Sequence, residues 1–267
     1  MYRPVIFTLL LTSLFLAGCS SGREAAAADL RNLLKRLFDY AVVCGLTGVN
    51  PTTALPTRFI RKARARTRAL SPDEIGTYLQ KLYRSNIRRQ FKLALHLVLL
   101  TLVRKSEILL AKWSDVNLQK REWKIPAENS KTGRAHIVYL STQAVSLFEE
   151  LRNLSGGSQF VLPGRSTIAK PFAKNALNQA LAGINFEIPP FTIHDLRRTG
   201  STLLHEKGFP SDVIEKALNH SIGGVRGVYN RAEYADQRRE MLQFWGNFIS
   251  GLANEESVLL ADLLRGS

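Results

Sequence analysis

Trp123-Lys124-Ile125-Pro126-Ala127-Glu128-Asn129-Ser130-Lys131-Thr132-Gly133-Arg134-Ala135-His136-Ile137-Val138-Tyr139 decides the fold. Trp123-Lys124-Ile125 and Ile137-Val138-Tyr139 are short apolar, strand-like runs, and the polar segment from Glu128 to Arg134 reads as the tip of a hairpin between them. With a third run, the strands are expected around 115–118, 121–125 and 135–140. Helical periodicity surrounds them. Helices are expected near 72–84, 88–103 and 105–113 before the sheet. After it they are expected near 142–153, 172–183, 194–207, 211–219 and 233–250, with a short apolar one at 256–264. The fold class is therefore mainly α with a small antiparallel β-sheet, an α+β arrangement without visible internal repeats.

The start of this domain is sharply marked. Ser71-Pro72-Asp73-Glu74 offers Ser71 as N-cap, Pro72 at the first helical position and Glu74 to close a capping box. Upstream, Ala25 to Leu46 reads as one helix, with Leu30, Leu33, Leu34, Leu37, Phe38 and Ala41 at helical spacing. A single helix cannot bury its own stripe, so it is either a fragment of a domain or a helix docked on the main domain. Gly45 to Gly48, Asn50-Pro51 and Pro56 mark a linker. From Arg58 to Arg68 there are six basic residues and no acid, a run that fits a solvated linker or a track along a DNA backbone equally well. The expected organisation is a signal-like segment over 1–22, a lone helix over 23–50, a basic linker over 51–70, the main domain over 71–250 and a C-terminal helix or tail over 251–267.

The 267 residues are 45% apolar, enough for a real core, and 37 basic against 22 acidic residues give a net charge of +15. An excess of that size points to a polyanionic partner, either nucleic acid or an anionic membrane surface. Cys19 and Cys44 lack zinc-ligand spacing and make no disulfide framework. Residues 1–22 stand apart. A basic start, an apolar stretch from Val5 to Ala17 and Leu16-Ala17-Gly18-Cys19 resemble a bacterial lipoprotein signal with Cys19 as the lipidated residue. The alternative is an accidental upstream extension or rearranged gene start, which the rest of the chain favours.

Several residues carry chemistry. His194 and Arg197 lie three apart at the margin of the buried stripe Ile193, Leu196, Gly200, Leu203 and Leu204, so both face whatever cleft the helix borders. Taken alone they read as a surface arginine beside a capping histidine, although an arginine at a helix start suits the dipole only if an anion binds there. Arg104 ends an apolar run and reads either as a surface residue paired with Glu107 or as a fork for two phosphate oxygens. Lys131 is a hairpin lysine, a type that usually only solubilises. Tyr229 follows Gly223-Gly224-Val225-Arg226-Gly227-Val228, a flexible approach to a site. Its phenol, with an ordinary pKa of about 10, needs help to act as a nucleophile, which nearby arginines and His220 or His194 could supply. Tyr234 is its rival, expected on an amphipathic helix in a structural role. No carboxylate set for a metal and no glycine-rich nucleotide loop accompanies these residues, so no cofactor is expected.

In order and spacing, Arg104, Lys131, His194-x-x-Arg197, His220 and Tyr229 resemble the active site of the tyrosine recombinases, the phage-type integrases. The flanks agree. Ser106-Glu107-Ile108-Leu109-Leu110 with Trp113-Ser114-Asp115-Val116 resembles the family's first arginine block. Ala217-Leu218-Asn219-His220 and Val228-Tyr229-Asn230-Arg231-Ala232-Glu233-Tyr234 resemble the blocks around its second histidine and its nucleophile. The resemblance covers roughly 71–250. One departure is Leu102, where the family often has glycine two residues before the first arginine. The other is the front of the chain, where only a helix near 29–46 resembles the end of the family's core-binding domain.

The resemblance implies site-specific DNA recombination. Tyr229 would attack the scissile phosphate to leave a 3′-phosphotyrosine and a free 5′-hydroxyl, while Arg104 and Arg197 clamp the non-bridging oxygens. Lys131 would protonate the leaving oxygen, His194 and His220 would handle the tyrosine proton, and Glu107 would orient Arg104. The implied partner is double-stranded DNA at attachment sites, worked by a homotetramer on two duplexes without metal or ATP, with Glu256–Leu264 open to docking on a neighbour. Such a protein works in the cytoplasm, on DNA. Two other readings stay open: a DNA-binding relic lacking half its grip, and a lipid-anchored envelope protein with a membrane partner through Cys19.

Overall fold

A computed structural model describes residues 21–54, 68–220 and 232–255. The chain divides into two compact units, residues 1–67 and 68–267. Cys19, most of the basic run, Tyr229 and the 256–264 segment lie outside the described residues.

In the first unit, helix α1 (Ser21–Val43) is followed by a 3₁₀ turn at Pro51–Ala54. Asn50 fastens the turn to the helix. Its amide donates to the Lys35 carbonyl at 3.1 Å and Asp39 Oδ1 at 2.6 Å, and its Oδ1 accepts from the backbone and hydroxyl of Thr52. The apolar stripe of α1 remains exposed at Leu30, Leu33 and Leu37.

The second unit opens with α2 (Pro72–Arg84), where Ser71 and Glu74 form a reciprocal capping box. Its core is built around α3 (Arg89–Thr101), in which every residue from Leu93 to Thr101 is buried. The polar member, His96, is accommodated because its Nδ1 meets the Tyr83 hydroxyl at 2.8 Å. Burial pushes the His96 pKa down to about 3, so the ring is neutral and shares one hydrogen bond with that hydroxyl. Helix α3 ends with Leu102 in the left-handed region at φ +56°. That conformation normally favours glycine, which explains why glycine suits this position; here leucine adopts it and buries its side chain completely.

Next come the short helix α4 (Lys105–Leu109), a 3₁₀ turn at Trp113–Asp115 and strands β1 (Val116–Asn117), β2 (Glu122–Ile125) and β3 (His136–Tyr139). The expected helix over 105–113 therefore breaks before Trp113. The antiparallel sheet runs in the order β1-β2-β3, with Trp123 opposite both Val116 and Val138. Trp123, Ile125 and Val138 alternate inward, and the Trp123 ring meets Phe148 of α5 (Thr142–Leu154) edge-on at 5.7 Å.

Helices α6 (Ala176–Ala182), α7 (Ile193–Glu206), α8 (Ser211–Ala217) and α9 (Ala235–Glu255) complete the unit. Helix α9 packs on α2, α3 and α5, and the Trp245 indole donates to the Leu99 carbonyl at 2.7 Å. Tyr234 is not on a helix as expected; it precedes α9 in the left-handed region at φ +49°, half-buried, with its hydroxyl 3.5 Å from Asp212 Oδ2.

Candidate active site

Arg104 is held by a buried acid. The Arg104 backbone N–H donates to Glu107 Oε2 at 2.7 Å and its Nη1 to Glu107 Oε1 at 3.0 Å. One carboxylate thus caps α4 and fixes the guanidinium, while Glu107 itself is fully buried. Nη2 of Arg104 reaches towards the Asn219 carbonyl at 3.5 Å.

Arg197, expected at the margin of α7, is buried. Thr192 and Asp195 form the capping box of that helix, so no histidine is needed as cap. The Arg197 guanidinium donates through Nη1 to the Leu102 carbonyl and through Nη2 to the Leu218 carbonyl. Both acceptors terminate helices, α3 and α8, where unpaired carbonyls favour a cation. Burial, and after it the nearby charge of Arg104, pull the Arg197 pKa down to about 10, with Glu107 and Glu215 opposing, so the group stays charged at neutral pH.

His220 completes this cluster. Its Nε2 lies 3.3 Å from Arg197 Nη2, and its Nδ1 lies 2.8 Å from Glu215 Oε2. Because an arginine can only donate, Nε2 is the acceptor and Nδ1 carries the proton towards Glu215. The His220 backbone is set by a Schellman end to α8: its N–H bonds the Glu215 carbonyl at 2.9 Å and that of Asn219 bonds the Lys216 carbonyl at 3.0 Å. Asn219 sits at the left-handed position of this cap, with φ +48°.

His194 is exposed on the first turn of α7; burial, then the charges of Arg198 and Arg197, lower its pKa. Lys131 is exposed on the tip of the β2–β3 hairpin, next to Gly133 at φ +66°. Tyr229 lies outside the described residues. Arg104 after the end of α3, Arg197 near the start of α7 and His220 after the end of α8 come together, and the hairpin that carries Lys131 is tied to them through Asn219. Two guanidiniums held in place beside an imidazole are the kind of arrangement that can bind a tetrahedral anion, with charge placed before the anion arrives.

Sequence reasoning missed the residues that hold this cluster. Glu215 is five positions before His220, a spacing that meets only because α8 closes in a Schellman turn. The carbonyls of Leu102 and Leu218 carry no side-chain signal at all. His136 is also drawn in: its Nδ1 accepts from Asn219 Nδ2 at 2.9 Å. Burial foremost, with opposition from Glu107 and help from Arg238, Arg104 and Arg197, lowers its pKa to about 4.

Residues 68–236 match the family model described as the phage integrase family. This chain belongs to that family. Among curated integrases, it is 33% identical over 248 residues to prophage integrase IntA of Escherichia coli K12, covering 91% of this chain and 59% of that one. Prophage integrase IntZ of the same strain is 36% identical over 227 residues, with 85% and 56% covered. The integrase of Shigella phage Sf6 is 30% identical, with 85% and 60% covered. The chain thus spans less than two thirds of the length of these integrases. Its fold is that of solved integrase structures. A lambda integrase (75–356) dimer bound to a COC′ core site superposes with a TM-score of 0.61 at 22% identity, covering 80% of this chain and 78% of that one. A lambda integrase tetramer bound to a Holliday junction gives 0.63 at 20% identity, covering 85% and 64%.

Proposed function

We propose that this integrase-family chain cuts and rejoins double-stranded DNA at specific sites through a 3′-phosphotyrosine intermediate. The observation that carries the proposal is the Arg197 guanidinium, buried between the Leu102 and Leu218 carbonyls and 3.3 Å from His220 Nε2, with Arg104 close enough to lower its pKa. Arg104 is paired with Glu107, whereas the hydrogen-bond acceptors of Arg197 are carbonyls and an imidazole, so a scissile phosphate would supply this guanidinium with a direct counter-charge.

Bonds and protons balance at each step. The Tyr229 phenol oxygen bonds to phosphorus while the bond from phosphorus to the 5′-oxygen breaks. The phenolic proton passes to His194 or His220, and the leaving oxygen takes a proton from Lys131. Arg104 and Arg197 hold the two non-bridging oxygens, where negative charge grows, and Glu107 orients Arg104. The bond energy is kept in the phosphotyrosine, so a 5′-hydroxyl from a partner strand can reverse the step. Strand exchange then requires four protomers on two duplexes, an arrangement supported by the junction-bound tetramer among the fold's neighbours. The net charge of +15 suits such a polyanion, and the work belongs in the cytoplasm, on DNA. The organisation proposed is a catalytic domain over 71–250 preceded by the end of a core-binding domain. Among the described residues no helix is long and apolar enough to cross a membrane.

A nicked duplex carrying the parent element's end sequence tests this, because loss of the short fragment beyond the nick prevents rejoining. The native chain should accumulate a covalent protein–DNA adduct and Tyr229→Phe none. Absence of adduct with both proteins contradicts the proposal.

A further inference from the structure

Asn219 occupies the left-handed position of the Schellman cap that ends α8, a place where glycine serves at least as well and no side chain is needed. Its side chain is nevertheless buried, and its amide nitrogen is engaged. The Nδ2 group lies 2.9 Å from Ser130 Oγ, 3.1 Å from Thr132 Oγ1, 2.9 Å from His136 Nδ1 and 3.5 Å from the Arg134 carbonyl. Ser130, Thr132, Arg134 and His136 bracket Lys131 on the hairpin. Ser130 Oγ and Thr132 Oγ1 are 3.0 Å apart, so one amide meets a preformed ring of acceptors. On its backbone side the same residue offers its carbonyl to Arg104 and leads directly into His220.

We propose that Asn219 is a positioning residue that clasps the Lys131 hairpin to the arginine–histidine cluster, setting where the lysine ammonium stands relative to the scissile phosphate. This rests on the reading of Lys131 as the proton donor to the leaving 5′-oxygen. An amide donor suits the task because His136 stays neutral down to a pH of about 4, so its Nδ1 accepts throughout the working range. Hairpin tips open readily, and a ring of buried and part-buried hydrogen bonds within this one limits that freedom. Lys131 itself reaches out from the clasped segment and is exposed.

Asn219→Gly is the informative variant. Glycine keeps the positive φ and the helix end, so the loss isolates the amide. Relative to the native chain, hydrogen exchange in the variant should quicken about tenfold or more at residues 130–136 and hold steady in α3. Unchanged exchange there overturns the clasp, and this readout needs no DNA cleavage. The second measurement compares cleavage of an ordinary duplex with one carrying a 5′-bridging sulfur at the scissile position. Sulfur leaves as a thiolate and needs no proton. Asn219→Gly should slow cleavage of the oxygen substrate by about 10- to 100-fold and leave the sulfur substrate near the native rate. Equal losses on both substrates overturn the positioning role. Lys131→Ala is the control: equal losses for it refute the proton-donor reading, whereas rescue of Lys131→Ala but not of Asn219→Gly refutes only the clasp.

Discussion

A Cβ on Gly200 would lie 2.2 Å from Leu102 Cδ2, so the residue that ends α3 and the middle of α7 meet where only glycine fits. Leu102 is fully buried and its carbonyl accepts from Arg197, three residues before Gly200. The contact that fills the core thereby also sets the height of the buried guanidinium. Gly200→Ala should destabilise the chain by about 1–3 kcal/mol through overpacking. Because the clash is with one side chain, Gly200→Ala should cost far less in a Leu102→Gly background. Denaturant midpoints of the four proteins of this cycle give the coupling; additive losses would show that the two residues do not share one space.

The fork of Arg197 spans two carbonyls and still reaches His220. A lysine carries the charge but cannot bond three acceptors in one plane. Arg197→Lys should lower the cleavage rate by about 100-fold or more while DNA retention in a filter or mobility assay changes little. A near-native cleavage rate would mean that charge alone suffices.

Acidification should unfold the protein earlier than carboxylate titration requires. His96 has its pKa lowered from 6.5 to about 3, and His136 from 6.5 to about 4. Between those values and 6.5 the unfolded chain binds more protons than the folded one, so stability rises with pH across that window and is lost as pH falls through it. Each histidine contributes up to about 1.4 kcal/mol per pH unit there. Urea melts near pH 7 and pH 5 should show a clear loss at the lower value, and His96→Asn should flatten the slope. Equal stability at the two pH values contradicts the assignment.

Tyr78 tells the opposite story to His96. Its hydroxyl is buried with no hydrogen-bond partner among the described residues, and burial pushes its pKa well up. The ring is held through contacts with Phe186 at 5.3 Å and Phe191 at 5.6 Å. Tyr78→Phe keeps these and should be neutral or stabilising by up to about 1 kcal/mol, read as a raised melting temperature. A loss beyond about 1 kcal/mol would show that the hydroxyl is satisfied in solution.

What could be read from the residues alone was whatever is written locally. Ser71 and Glu74 announce a helix start within four positions, and the apolar runs at Trp123 and Val138 on either side of a polar tip announce strands. The order of Arg104, Lys131, His194, Arg197 and His220 announces a family. What could not be read depends on distant partners. Arg197 looks like a marginal surface arginine until carbonyls at positions 102 and 218 close over it. Tyr234 looks helical because the residues after it are; the backbone turns left-handed there before α9 begins. Asn219 looks like an ordinary helix-end residue until the hairpin, more than eighty positions earlier in the chain, arrives at its amide.

The proposed chemistry joins one phenol covalently to DNA. Protease digestion of the trapped adduct, followed by mass spectrometry, locates the nucleotide remnant directly. A 3′-linked nucleotide is expected on the peptide containing Tyr229, and none on Tyr234. A remnant on any other residue, or joined through a 5′-phosphate, would contradict it.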